Sequence, residues 1–491
     1  MRRSTTLALL ALAGGKLGAQ APRDTVAVLD SVAHEVAVLG ARHGEAVWPG
    51  YRPDTIPIAF VLPGRGTLLL NWRGTLPEKF EPVAGVTAAG WRNEGDLGAA
   101  SNAMSIGGRR VAQVALATGK PIEPASLVAT AFHEAFHVFE RASAKPGERF
   151  GNGENSAMIG SYPEFDVENE TAFELEGKLL GAALTSDSPR ERRALARQFV
   201  AVRRGRHQRM SADFAEFDQM SEMNEGLAEY ALERALQFLA AEGPPAWRAA
   251  AAKQAASDRL MLADLNADRG LSSRIRYYRT GSAIALLLDR LGDQSWKRRL
   301  VDENLTLQDM LGSVSGLDAP AETARTAART KFDVSALQRE ATRRIEQRKR
   351  SRMAKVDTIL SAPGIRLVLR ADSLPSRRFN SCGFDPQNIL QISPSLRIHS
   401  RWWRPCSGGP TYAEFNTPSV QDDSTGTIRA VIGDDSVIHM TSGGQPITIR
   451  DGETLRDVKK FKLEAPRASV DAVRADVERK GNTLTIYPKG P

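Results

Sequence analysis

Apolar residues along this chain change their period twice, near residues 121 and 362. Between about Pro121 and Lys355 they recur at helical spacing, in TAFHEAFHVFERA, PEFDVENETAFELEGKLLGAAL, SEMNEGLAEYALERALQFLA and RTGSAIALLLDRLG. Each stretch stops near Gly, Pro or a Ser/Asp cluster, as helices do. Beyond Ala362 the runs are short and alternating (GIRLVLRAD, NILQIS, LRIHSRWW, GTIRAVIGD, ERKGNTLTIY), and turn residues separate them. That pattern predicts an all-β module, sandwich-like by its strand spacing. Ahead of the helical region, residues 24–44 predict one amphipathic helix through Val28, Leu29, Val32, Val36 and Leu39. Short strands follow in IPIAFVLP, TLLLNW and RRVAQVALA. A chain of 491 residues exceeds one compact core. The expected class is α+β: an N-terminal α/β portion over 22–118, a helical domain over 119–355, and the β module over 362–491.

The first 21 residues stand apart. Arg2 and Arg3 precede an apolar stretch from Leu7 to Ala13, and Ala19-Gln20-Ala21 ends it in the small-x-small manner of a signal-peptidase site. The stretch is too short to span a bilayer, and no run elsewhere reaches eighteen apolar residues, so a secreted or periplasmic location is expected. The only two cysteines, Cys382 and Cys406, suit that compartment. A bridge between them would close a loop of roughly 25 residues and contribute about 3 kcal/mol; the alternative is two free thiols. The formal charge is +8, and basic residues cluster in 189–210 and 338–356. Such helices suit contact with an anionic envelope surface, or form an ordinary solvated face. Without aromatic or Gly-rich readers among them, nucleic acid is not the expected partner. No G-x-S-x-G elbow, Walker loop or dinucleotide fingerprint occurs.

Two of the seven histidines fall four residues apart in His133-Glu134-Ala135-Phe136-His137. On a helix these positions share a face, so both imidazoles can reach one tetrahedral metal, with zinc the usual occupant. Glu134 is placed to hold and deprotonate a metal-bound water rather than to ligate. Phe132, Phe136 and Phe139 are expected to pack the helix into a core. A catalytic zinc wants a third protein ligand and leaves a fourth position open.

HEAFH followed by NEGLAEY resembles the gluzincin metallopeptidases, whose third ligand is the Glu of an N-E-G or N-E-x motif on a second helix. The resemblance implies a zincin-like, mostly helical peptidase domain holding one Zn²⁺ through His133, His137 and Glu225. Glu229 would be a carboxylate orienting a ligand histidine. IRYYRTGSAIALLLDRL (275–291) is similar to the Y-x-x-G stretch of the aminopeptidase branch, which makes Tyr278 the oxyanion donor, with Tyr277 its near neighbour. SNAMSIGG (101–108) lacks the glutamate with which that branch grips a free amine, so exopeptidase specificity is not implied. By analogy with zincins, RRVAQVALA is the expected edge strand for a peptide substrate.

The interval from His137 to Glu225 is long for the family and contains rival ligands, Glu170 and Glu174, at helical spacing. His207, in an Arg-rich run, is expected at the surface. The expected function is an exported zinc metallopeptidase acting on peptides or proteins. A catalytically silent zincin-fold binding protein and a zinc amidase for cell-wall peptides are the alternatives.

Overall fold

A computed structural model of the chain describes residues 23–93, 101–117, 119–266, 272–316, 321–374, 376–407 and 411–490. The leader expected over 1–21 lies outside them. The architecture is α+β, with a small N-terminal sheet, a helical middle and an all-β C-terminal part. Two compact units form: Met1–Ser143 with Ala231–Ala255, and Ala144–Tyr230 with Ala256–Pro491. They do not follow the composition changes near 118 and 362.

The first unit opens with helix α1 (Arg23–Val47), which buries Leu29, Val32, Val36 and Leu39 at the predicted spacing. Six strands follow: β1 (Ile58–Leu62), β2 (Gly66–Leu70), β3 (Glu81–Pro82), β4 (Gly90–Asn93), β5 (Asn102–Ile106) and β6 (Arg109–Ala115). They pair in the order β3-β4-β2-β1-β6-β5, and β1 and β6 run parallel. The sequence expectation that RRVAQVALA is an edge strand is corrected here. β6 bonds to β1 on one side and to β5 on the other, so β5 is the edge. The cause is local. Gly107 and Gly108 both take positive φ, 53° and 77°, and make the two-residue turn that folds 102–106 back onto β6.

Helix α2 (Pro124–Ser143) belongs to this unit and carries HEAFH. Its phenylalanines pack as expected. Phe136 meets Trp48 and Tyr51 edge-on, with ring centroids at 5.7 and 5.3 Å. The Tyr51 hydroxyl donates to the Phe132 carbonyl at 2.7 Å. These contacts fix the rotation of α2 about its own axis, and so the direction of its histidines.

The second unit contains α3 (Val167–Thr185), α4 (Pro189–His207), α5 (Ala212–Ser221), the start of α6 (Leu227–Glu242), the end of α7 (Pro245–Leu260), α8 (Ile275–Leu291), α9 (Trp296–Asp302), α10 (Leu307–Ser315), α11 (Ala321–Lys331) and α12 (Val334–Ser361). Its interior is unusually ionic. Arg203 Nε bonds Glu176 at 2.6 Å, Arg206 Nε bonds Glu176 at 2.7 Å, and Arg206 Nη1 reaches Asp218 at 2.6 Å. The Tyr277 hydroxyl also donates to Asp218, and His207 lies 3.1 Å from it. Burial alone would raise the Asp218 carboxyl, but Arg206 overrides it and holds that carboxyl far below the usual range.

Two expectations change here. His207 is nearly enclosed rather than at the surface. The basic helices are only partly solvated: Arg192, Arg203 and Arg206 of α4 and Arg348 and Arg352 of α12 are buried, and Arg348 and Arg352 pair with Glu170 and Glu164. Five of the sixteen Arg and Lys residues in 189–210 and 338–356 are thus internal rather than part of a solvated basic face.

The β part joins thirteen strands into one connected sheet, where a sandwich would keep two hydrogen-bonded sets. A long hairpin, Thr454–Ala465 with Ala468–Lys480, runs through it. Cys382 and Cys406 form the expected disulfide. Of the tryptophan pair, Trp403 is fully buried and Trp402 is exposed. Among the described residues no helix is long and apolar enough to cross a membrane.

Candidate metal centre

His133 and His137 lie one turn apart on α2, both buried, and their Nε2 atoms stand 3.2 Å apart. Two nitrogens bound at tetrahedral angles to one zinc, each about 2.05 Å away, would be separated by about 3.3 Å. The imidazoles are thus already spaced to share an ion. The tautomer of His137 also suits ligation. His137 Nδ1 lies 2.6 Å from the Glu140 carboxylate, which takes the Nδ1 proton and leaves Nε2 its lone pair. Glu140 is fully buried and follows His137 by three residues, one helical turn along the same face. Sequence reasoning passed over it, although that spacing was legible. Replacing Glu140 with Gln keeps the shape but removes the anionic acceptor. Zinc affinity is expected to fall about 10- to 100-fold, read by competition with a chromophoric chelator. An unchanged affinity would remove Glu140 from the site.

Glu225 joins them. His133, His137 and Glu225 are all buried, and one ligand atom from each lies within 4.8 Å of the others. Two imidazoles and one carboxylate are a donor set that could hold a metal ion. Glu134, also buried, sits beside His133 on α2.

No family model matches the chain, nor does any curated protein or solved structure. What the centre can do therefore follows from its own atoms.

Glu225 is presented by a single π turn, Glu222–Gly226, inserted between α5 and α6. Such a turn carries one residue more than an α-helical turn and is stable only where its surroundings hold it. Glu222 holds it from beneath: its carboxylate takes Arg203 Nη1 at 2.9 Å and the Thr280 hydroxyl. Two glycines then allow α8 to cross. A Cβ on Gly281 would stand 2.6 Å from the Gly226 Cα and 2.8 Å from the Glu222 carbonyl oxygen. The glycines of NEG and YRTG are thus one steric requirement seen from both sides. Gly281→Ala is expected to cost about 1–3 kcal/mol as the helices part. It should also lower zinc affinity about tenfold by displacing Glu225. Urea unfolding and the same chelator competition check both, and an unaltered midpoint would show that the crossing can relax.

Around Glu225 stand residues that the sequence did not single out. Arg274 Nη2 donates to Glu225 Oε1 at 2.5 Å, and Asn224 Nδ2 donates to the same oxygen at 3.3 Å. Arg274 Nε and Asn224 Nδ2 both donate to Glu154, each at 2.6 Å. Burial works against the Arg274 charge, but Glu225, Tyr278 and Glu154 outweigh it and hold the guanidinium protonated. Tyr278 is the tyrosine that reaches this cluster, and burial first, then the Glu225 charge, pushes its hydroxyl well above the ordinary phenol range. It remains a neutral donor. Tyr277 is committed to Asp218 instead.

The rival ligands are otherwise engaged. Glu170 pairs with Arg276 at 2.9 Å and Arg348 at 3.1 Å, while Glu174 lies 3.7 Å from Lys178 and 3.8 Å from Arg344. Glu229, expected to orient a ligand histidine rather than to ligate, is buried and also takes a bond from Arg279 at 2.5 Å.

Proposed function

We propose that this protein is an exported zinc-dependent metallopeptidase. The buried His133/His137/Glu225 group, with the two Nε2 atoms already 3.2 Å apart, is the observation that carries the reading. A zinc ion held there would polarise both a water molecule and the scissile carbonyl. Glu134 accepts the proton of that water and returns it to the leaving amine, a role suited to a carboxylate next to a ligand histidine. Tyr278, neutral because its hydroxyl is hard to ionise, donates to the oxygen on which negative charge develops. Glu140 keeps His137 in the ligating tautomer, and Arg274 holds the carboxylate of Glu225. The Cys382–Cys406 disulfide supports an oxidising compartment and hence export.

The test is a denatured-proteome peptide library incubated with the chain lacking residues 1–21. New termini are read by mass spectrometry, and zinc content is recorded on the same samples. Cleavage with one zinc per chain is expected. Bound zinc without cleavage would transfer the reading to the binding-protein alternative, and absence of zinc would end it.

A further inference from the structure

The Tyr278 hydroxyl oxygen is reached by two donors. Arg274 Nη1 donates to it at 2.9 Å and Gln387 Nε2 donates at 3.1 Å. A phenol oxygen offers two lone pairs and one proton. With both lone pairs taken, the proton has to turn away from Arg274 and Gln387. Arg274 also donates from Nη2 to Glu225 Oε1 at 2.5 Å, which places that carboxylate beside the hydroxyl. The hydroxyl therefore has one orientation in which it donates, away from both donors and beside the Glu225 carboxylate.

Gln387 comes from the C-terminal β part. It sits in a short turn, Pro386–Asn388, between the strands Asn380–Phe384 and Ile389–Gln391. The turn is held at every corner. Asp385 accepts from the Gln387 backbone N–H at 3.0 Å and from Asn388 Nδ2 at 2.6 Å. The Ser400 hydroxyl donates to Asn388 Oδ1 at 3.0 Å. The Gln387 carbonyl accepts from the backbone of Ser272, two residues before Arg274, at 2.9 Å. The β part therefore anchors both donors to Tyr278, one directly and one through the chain that leads to it.

We propose that the C-terminal β part completes the catalytic centre. In this view Gln387 is a positioning residue that, with Arg274, locks the Tyr278 hydroxyl as a donor aimed at the developing oxyanion. The proposal rests on the peptidase reading and assigns the β part a role in chemistry. A donor fixed in advance need not reorient as charge appears, and that is where such groups gain their effect.

The experiment is a cycle of four zinc-loaded proteins, wild type, Gln387→Ala, Tyr278→Phe and the double variant, with Gln387→Glu as a fifth. Gln387 is only partly buried, so its variants are expected to keep the fold, and urea unfolding of all five proteins checks this. Gln387→Ala is expected to lower kcat about tenfold with KM and zinc affinity unchanged, a fraction of what a whole oxyanion donor supplies. Gln387→Glu, equal in shape but an acceptor where a donor is needed, should lose at least as much. In the Tyr278→Phe background the Gln387→Ala change should have no further effect. A kcat within twofold of wild type for both Gln387 variants, or an equal loss in both backgrounds, would overturn the proposal.

A phosphinic peptide is titrated in parallel, because its tetrahedral oxyanion needs no turnover. Weaker binding to Gln387→Ala than to wild type supports the proposal even if no library peptide is cleaved, in which case the peptidase reading alone is at fault. Equal binding to both, or binding to neither, overturns it.

Discussion

Glu134→Gln is expected to lower turnover by about three orders of magnitude while the chain still binds one zinc ion, because it removes the proton acceptor and leaves all three ligands in place. The substitution is nearly isosteric on a buried stretch of α2, where Phe132 and Phe136 set the helix against Tyr51 and Trp48. Zinc content and stability should therefore match the parent. The measurement is steady-state cleavage of a peptide found in the library, with metal content determined on the same preparation. A variant that keeps even a tenth of parental turnover would remove Glu134 from the proposed mechanism. One that loses zinc as well would show that it helps to hold the metal.

The second large effect concerns stability. Arg206→Met should destabilise the second unit by about 3–5 kcal/mol, because removing one partner of a buried ion pair leaves the other charge uncompensated. Here two carboxylates are left: Asp218, 2.6 Å from Arg206 and fully buried, and Glu176, 2.7 Å away and likewise buried. Arg203 still covers Glu176, so Asp218 bears most of the loss. Urea unfolding followed by tryptophan fluorescence reads the change. A loss below about 1 kcal/mol, the range of exposed pairs, would mean that water reaches the network. Because Arg203 and Glu222 link the same network to the π turn under Glu225, a fall in zinc affinity should accompany the unfolding shift.

Much of the local structure was legible. The α1 helix, the strands IAFVL and GTLLL, and the phenylalanine face of α2 follow from apolar period alone. The β character after residue 362 and the cysteine pairing were legible too. The misreadings have separate causes. Calling RRVAQVALA an edge strand overlooked that Gly107-Gly108, a two-residue turn signal, would add one more strand outside it. Placing His207 and the arginines near it at the surface followed the ordinary habit of charged residues. That habit fails where Glu176, Glu222 and Asp218, brought from other helices, neutralise them inside.

By itself, the sequence determined whatever depends on neighbours along one helix or strand. His133 and His137 share a face because a helix repeats every 3.6 residues, and Glu140 falls on that face for the same reason. The NEGLAEY resemblance pointed to Glu225 as the carboxylate that joins the histidines, but apolar period and helical spacing alone left Glu170 and Glu174 as rivals until the tertiary structure was known. Glu170, Glu174 and Glu225 all occur at plausible helical positions, and burial committed Glu170 to Arg276 and Arg348 while Glu225 came within ligand reach. The same holds for Gln387, which meets the Tyr278 hydroxyl from a strand turn far along the chain. No spacing rule relates such residues. They meet because each buried donor needs an acceptor, and that demand is met by folding in three dimensions rather than by order along the chain.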